Sequence, residues 1–129
     1  MSRKSKGINA ERDLIHKFWG NKWAAIRIAG SGSNRYPSAD IIASNRLRKL
    51  VIECKASGDK SRYLTKEEVN QFKLFSELFG AEPWIAIKFD REDWSFLHLE
   101  DLKDTGSNLL VSKDIAKNKG LLFEELIKI

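Results

Sequence analysis

A single cysteine, Cys54, is all this 129-residue chain contains, so no disulfide can form within it and a reducing compartment such as the cytoplasm suits it. No apolar run approaches the roughly 20 residues that a membrane span requires. The first residues, MSRKSKG, are basic but lead into a charged, helix-patterned stretch, not the apolar core of a signal peptide. There is no internal repeat, low-complexity segment or long linker. There is also no Walker lysine pattern in the one glycine-rich stretch, which argues against a nucleotide cofactor. The hydrophobic fraction of 42% and charged fraction of 32% exclude a disordered chain. What remains is one globular domain, residues 1–129, with residues 1–6 read as a mobile basic tip.

Charge is present but unevenly placed. Residues 1–62 carry 14 Lys and Arg against 5 Asp and Glu, a net of +9; residues 63–129 carry 9 against 13, a net of −4. A basic half on an otherwise balanced chain is either a solvated face or the contact surface for a polyanion such as nucleic acid.

The apolar pattern predicts a helix from about Asn9 to Trp19, with Asn9 as N-cap and Gly20 as its end. Strands are predicted at Ala24–Ile28, Ser38–Ala43 and Lys49–Lys55, then a polar loop to Arg62. Thr65 and Glu68 form a capping box that opens a second helix, closed by Gly80. Further strands are expected at Trp84–Phe89, Trp94–Leu99 and Leu109–Val111, and a terminal helix at Leu121–Ile127. This order describes an α/β fold, a central mixed β-sheet flanked by helices.

Chemistry concentrates at the third strand. Side chains alternate faces along a strand, so Leu50, Ile52 and Cys54 share one face, and Val51, Glu53 and Lys55 the other. Cys54 is read as core. Glu53 beside Lys55 offers a cation ligand and an ammonium that can orient water or offset phosphate charge. The same pair alone also fits an edge-strand salt bridge of little value. Asp40, on the preceding strand, approaches Glu53 if the two strands pair as a hairpin, and two carboxylates with open positions suit Mg²⁺. On the first helix, Ile8, Leu14, Ile15, Phe18 and Trp19 make an apolar stripe, and Glu11 falls within roughly 20° of its centre at 100° per residue. An inward carboxylate needs a partner, a metal or a special role; the alternative is that Glu11, in the first turn, complements the helix dipole and pairs with a basic residue. The loop Gly30-Ser31-Gly32-Ser33, between Arg27 and Arg35, offers backbone N–H groups and hydroxyls to a phosphate. His98 and His16 are read as structural and surface residues.

Taken together, Gly7-Ile8-Asn9-Ala10-Glu11-Arg12, Arg27-Ile28-Ala29-Gly30-Ser31-Gly32, Asp40, Ile52-Glu53-Cys54-Lys55 and Pro83-Trp84-Ile85-Ala86-Ile87-Lys88-Phe89 resemble the archaeal Holliday junction resolvases, the Hjc family. The resemblance covers nearly the whole chain. It implies the restriction-endonuclease-like fold, a PD-(D/E)xK nuclease site, a homodimer, and Mg²⁺-dependent symmetric cleavage of four-way DNA junctions to 5′-phosphate and 3′-hydroxyl ends, with Mn²⁺ able to substitute. By position it makes Glu11, Asp40 and Glu53 the acidic catalytic and metal-binding residues, and Lys55 the catalytic lysine. Ser31 matches an assisting loop serine, with Ser33 as the other candidate. Arg3, Lys4, Lys6, Arg12, Arg27, Ser33 and Arg35 would contact DNA, and Phe72, Phe75 and Phe79 a second subunit. Ala39 stands where the motif name has proline; proline ligates nothing there. The alternatives are a repair or restriction endonuclease of the same superfamily, or a non-catalytic DNA-binding module.

Overall fold

The fold is that of a computed structural model, which describes residues 3–30 and 35–129, with side chains from Gly7 onward. Among the described residues, four α-helices and eight strands follow in the order α1 (Arg3–Gly20), β1 (Ala24–Arg27), β2 (Ile41–Ser44), β3 (Lys49–Ser57), β4 (Ser61–Thr65), α2 (Lys66–Phe79), β5 (Glu82–Phe89), β6 (Ser95–Leu97), β7 (Lys103–Asp104), β8 (Asn108–Ser112), α3 (Lys113–Lys119) and α4 (Phe123–Leu126). Five strands form the main sheet in the order β1-β2-β3-β5-β6, and β4-β8-β7 form a smaller one. The main sheet is mixed: β2 pairs antiparallel with both β1 and β3, β3 pairs parallel with β5, and β5 pairs antiparallel with β6. Among the described residues, no helix is long and apolar enough to cross a membrane.

Alternation along the strands splits the core into two layers. On one face Leu50, Ile52, Trp84 and Ala86 pack against Leu14 and Phe18 of α1 and Phe123 and Leu126 of α4. Phe18 anchors that layer, edge-on to Phe123 at 5.0 Å between ring centroids. On the other face Val51, Ile85 and Ile87 pack against Val69 and Phe72 of α2, Leu64 of β4 and Val111 of β8. Because β3 lies between two partners and under two layers, Leu50, Val51 and Ile52 are fully buried. Side chains near its C-terminal end emerge from this rigid support.

The predicted elements recur with altered limits. Arg3–Lys6, expected to precede the first helix, belong to it, and Asn9 lies in its interior. A glycine inside a helix costs only about 0.5–1 kcal/mol relative to alanine, so Gly7 does not stop a segment whose arginine and lysines favour helix. Trp19 of the predicted stripe is mostly exposed and donates its Nε1–H to the Ala25 carbonyl. The polar loop after Lys55 is shorter than expected: β3 continues to Ser57, and β4 begins at Ser61, paired with β8 in the smaller sheet. The capping box at Thr65 and the left-handed cap at Gly80 (φ 77°) bound α2 as expected. Helix α3 was not predicted; Ser112 caps it by accepting from the Ile115 N–H. Phe72, predicted at a subunit interface, is 2% exposed and belongs to the core. It shares the inward stripe of α2 with Val69 and Ser76.

Candidate active site

The antiparallel register of β2 and β3 sets Ile41 opposite Ile52. Continued by one residue, it sets Asp40 opposite Glu53, and directly opposed residues face the same side of a sheet. The ladder does continue: the Asp40 N–H donates to the Ile52 carbonyl at 3.0 Å, and the Ile28 N–H donates to the Asp40 carbonyl at 2.8 Å. The backbone of Asp40 is therefore held by the strands on both sides. Its side chain is held too, since the Cys54 N–H donates to Asp40 Oδ2 at 2.8 Å.

Glu53 bears the electrostatic consequence. Burial raises its carboxyl to about 8, assisted by the Asp40 carboxylate and a hydrogen bond with it, against the pull of Lys55. Two acidic groups this close resist joint ionisation without a counter-charge. A divalent cation would supply that counter-charge, so Asp40 and Glu53 fit such an ion chemically. Among the described residues, no three acidic, thiol or imidazole groups converge to hold an ion by themselves. Any ion here would complete its shell with water or substrate oxygens, as Mg²⁺ commonly does.

Glu11 approaches from another direction. It hangs from α1, which packs on the face of Leu50 and Ile52, whereas Glu53 alternates to the α2 face. Its Oε1 accepts from Arg27 Nε at 3.2 Å. Burial, then the Asp40 carboxylate, nevertheless raises the Glu11 carboxyl above its ordinary value. Glu11 is thus electrically coupled to Asp40 while it neutralises Arg27.

Lys55 sits beside the pair, its Nζ 3.9 Å from Glu53 Oε2. Its closer partner is a residue whose sequence context marks it only as a helix cap: Glu68 Oε1 lies 2.7 Å from the same Nζ. Burial opposes the charge of Glu68, but hydrogen bonds from Lys55 and Thr65 outweigh it and hold the carboxyl below its usual range. The signal was the short span between the lysine and a helix start, which brings the first turn of α2 back to the end of β3.

Cys54 packs with the α1 layer as expected. Burial, then the neighbouring carboxylates, pushes its thiol well above the usual range, which disfavours the nucleophilic thiolate. Of the predicted DNA contacts, Arg12 and Arg35 are exposed and Arg27 is half-buried in its pair with Glu11. The side chains of Arg3, Lys4 and Lys6 lie outside the description, as do Ser31 and Ser33 altogether. Phe75 and Phe79 stack at 5.4 Å on α2, and Leu74, Leu78 and Phe79 are exposed beside them. The His98 ring lies tilted against Trp84, with 4.2 Å between ring centroids.

Known proteins resemble this chain in sequence and in shape. The family described as archaeal Holliday junction resolvase (Hjc) matches residues 2–129. The crossover junction endodeoxyribonuclease Hjc of Archaeoglobus fulgidus is 38% identical over 129 residues, covering 95% of each chain. That of Methanocaldococcus jannaschii is 34% identical, over 85% of this chain and 78% of its own. The solved structure of Archaeoglobus fulgidus Hjc, a Holliday junction resolvase, superposes with a TM-score of 0.84 at 37% identity, covering 91% of this chain and 94% of that one. With the family match spanning all but the first residue, and a relative this similar end to end, the chain belongs to the archaeal Holliday junction resolvase family.

Proposed function

We propose that this chain is a structure-specific endodeoxyribonuclease that resolves four-way DNA junctions by Mg²⁺-dependent hydrolysis, with paired cuts made by a homodimer. The observation that carries this reading is the opposed Asp40–Glu53 pair, fixed by the Cys54 N–H, with Lys55 3.9 Å from Glu53. Relatives named crossover junction endodeoxyribonucleases support the substrate.

When bound, a divalent cation supplies positive charge that polarises the scissile phosphate and favours ionisation of water. Asp40 and Glu53 would hold it, and Glu11 adds negative charge nearby. The Lys55 ammonium orients the attacking water and offsets charge on the pentacovalent phosphorus. The water gives up a proton to solvent as its oxygen forms the new P–O bond, the bond to O3′ breaks, and O3′ leaves as a hydroxyl, its proton supplied by solvent. Arg12, Arg35 and the basic start of α1 hold backbone phosphates, which positions DNA without reading bases. One site cuts one strand, so opposed cuts need a second site related by a two-fold axis. The exposed Leu74, Leu78 and Phe79 on α2, with the half-buried Phe75 stacked on Phe79, form the surface that fits a second copy.

The test is cleavage of a mobile four-way junction against linear duplex of the same sequence, with and without Mg²⁺. Symmetric Mg²⁺-dependent incision of the junction alone is expected. Equal cutting of the duplex would favour a general repair or restriction endonuclease, and tight junction binding without incision a non-catalytic module.

A further inference from the structure

Two carboxylates compete for the single ammonium of Lys55, and the one outside the acidic pair is nearer. Glu68 Oε1 is 2.7 Å from Nζ and Glu53 Oε2 is 3.9 Å from it. Glu68 is fixed by contacts of its own. Its other oxygen, Oε2, accepts from the Thr65 N–H and from Thr65 Oγ1, both at 3.1 Å, while its N–H donates back to Thr65 Oγ1 at 3.0 Å. The reciprocal cap pins this side chain in one place at the start of α2. The lysine is largely shielded, with a side-chain exposure of 18%. Glu68 is 34% exposed, so solvent screens the pair in part, and it is the geometry, not the burial, that fixes the lysine.

The N-terminus of a helix carries partial positive charge and repels cations, yet Nζ lies at the first turn of α2. Glu68 is the group that offsets this repulsion, since the adjacent Glu67 is exposed and has no bond to Lys55 among the contacts of the described residues. Apart from Glu68, the carboxylate within 4 Å of the ammonium among the described residues is that of Glu53.

We propose that Glu68 is a positioning residue for Lys55: one carboxylate oxygen closes the cap of α2 while the other holds Nζ, so the helix start determines where the lysine of the site stands. Glu68 thereby keeps Lys55 from closing onto Glu53 and leaves Glu53 to face Asp40. This inference rests on the nuclease reading above.

Two substitutions separate positioning from capping. Glu68→Gln is isosteric, and its amide oxygen still serves the cap, but it offers Lys55 no negative charge. Thr65→Ala removes the cap hydroxyl and leaves the Glu68 carboxylate. The measurements are single-turnover cleavage of a four-way junction in Mg²⁺, junction affinity, Tm, and a crystal structure of the Gln variant. Glu68→Gln is expected to slow cleavage on the order of 10- to 100-fold, as loss of an orienting partner does. Affinity and Tm should hold, and Nζ should turn toward Glu53 in the crystal. Thr65→Ala is expected to lower Tm and keep most of the rate. Wild-type cleavage by Glu68→Gln, or parallel loss of rate and Tm in both variants, would overturn the inference. So would an unmoved Nζ in the variant crystal, which can be read even if the wild-type protein cuts no junction. That last failure would count against the nuclease reading instead.

Discussion

The main-chain N–H of Cys54 donates to Asp40 Oδ2 at 2.8 Å, so the backbone of the neighbouring strand helps orient the aspartate, beside its hydrogen bond with Glu53. Backbone of a central strand is the most rigid support a domain offers, and sites on such elements hold their geometry better than sites on loops. The identity of residue 54 is then secondary. Asp40→Asn and Glu53→Gln are expected to reduce junction cleavage to background with binding unchanged or tighter, because each removes negative charge near phosphate. Cys54→Ala is expected to keep cleavage, since the N–H remains. Single-turnover kinetics and gel shift measure both; near wild-type cutting by Asp40→Asn in Mg²⁺ would refute the assignment.

The pH dependence of stability follows from Glu53. Its folded carboxyl titrates at about 8 and an unfolded one near 4.5. Between those values the folded state binds a proton that the unfolded state releases, so stability falls as pH rises from about 4.5 to 8. In metal-free protein, Glu53→Gln should therefore raise Tm at pH 8 and leave it nearly unchanged at pH 4.5. Mg²⁺ should restore stability to the wild type at pH 8 through binding to the folded state alone, and not to the variant. Thermal unfolding in chelator and in Mg²⁺ reads both effects. A Tm that climbs with pH in the metal-free wild type is the contrary result.

Arginines 12 and 27 should behave differently, although both stand in the basic half. Arg12 is exposed, whereas Arg27 bonds Glu11 at 3.2 Å. Arg12→Gln is expected to weaken junction binding regardless of sequence, with Tm unchanged. The slope of log affinity against log salt should fall by about 0.7–0.9 when one phosphate is no longer neutralised. Arg27→Gln should lower Tm as well, by leaving the Glu11 carboxylate half-buried without its cation. A salt-independent affinity in the wild type would reduce the basic half to a solvated face.

Association of two copies through α2 makes a further expectation. Leu78 is 79% exposed and Phe79 44%, with Phe75 stacked on Phe79, so charge introduced there meets no core. Leu78→Glu and Phe79→Glu should yield folded monomers by light scattering and lose paired incision. Phe72→Ala should instead destabilise the fold, by about 3–5 kcal/mol. A wild-type monomer that still makes both cuts would dispose of the dimer.

At the far end of the sheet, Arg48 ties three segments together. Its guanidinium grips Glu82 with two hydrogen bonds, at 2.8 and 2.9 Å, and donates to the carbonyls of Leu126 at 2.7 Å and Ile129 at 3.3 Å. It also lies over the Trp23 ring at 5.5 Å. Arg48→Met should cost about 2 kcal/mol or more, release the residues after α4 to hydrogen exchange, and leave cleavage intact at low temperature. Unchanged exchange near Leu126 would show that the clamp is dispensable.

Much of the site was legible because its chemistry is tied to strand geometry. The alternation through Val51, Glu53 and Lys55, and a turn that brings Asp40 back, place carboxylates and ammonium together by period alone. Glu11 stood out as an acid within an apolar stripe. Its pairing with Arg27 was not legible, because that contact depends on how α1 lies across β1. Glu68 was read correctly as a cap, but one side chain can serve two partners, and a motif reports only the local one. Phe72, Phe75 and Phe79 share a spacing yet split between core and surface, since a helix with apolar residues on more than one side does not announce which side is covered. Helix α3 and strand β4 escaped notice because short elements with polar residues are held by tertiary pairing, here with β6 and β8, and not by their own pattern.

The parallel pairing of β3 with β5 also bears on how the chain reaches its fold. The contact of Asp40 with Cys54 bridges 14 residues and that of Glu11 with Arg27 16, whereas β3 meets β5 only after β4 and α2 have been traversed. Closing the longer loop costs more entropy, and parallel pairing is slow. Until it closes, one edge of β3 stands open, with the apolar run Leu50-Val51-Ile52 along it. An open edge of that composition invites pairing with another chain. Lys49 stands before the run, and Glu53 and Lys55 close behind it. Flanking charges of this kind discourage aggregation of an exposed strand. The residues proposed for cleavage in the folded protein would thus guard the same strand while it waits for its partner.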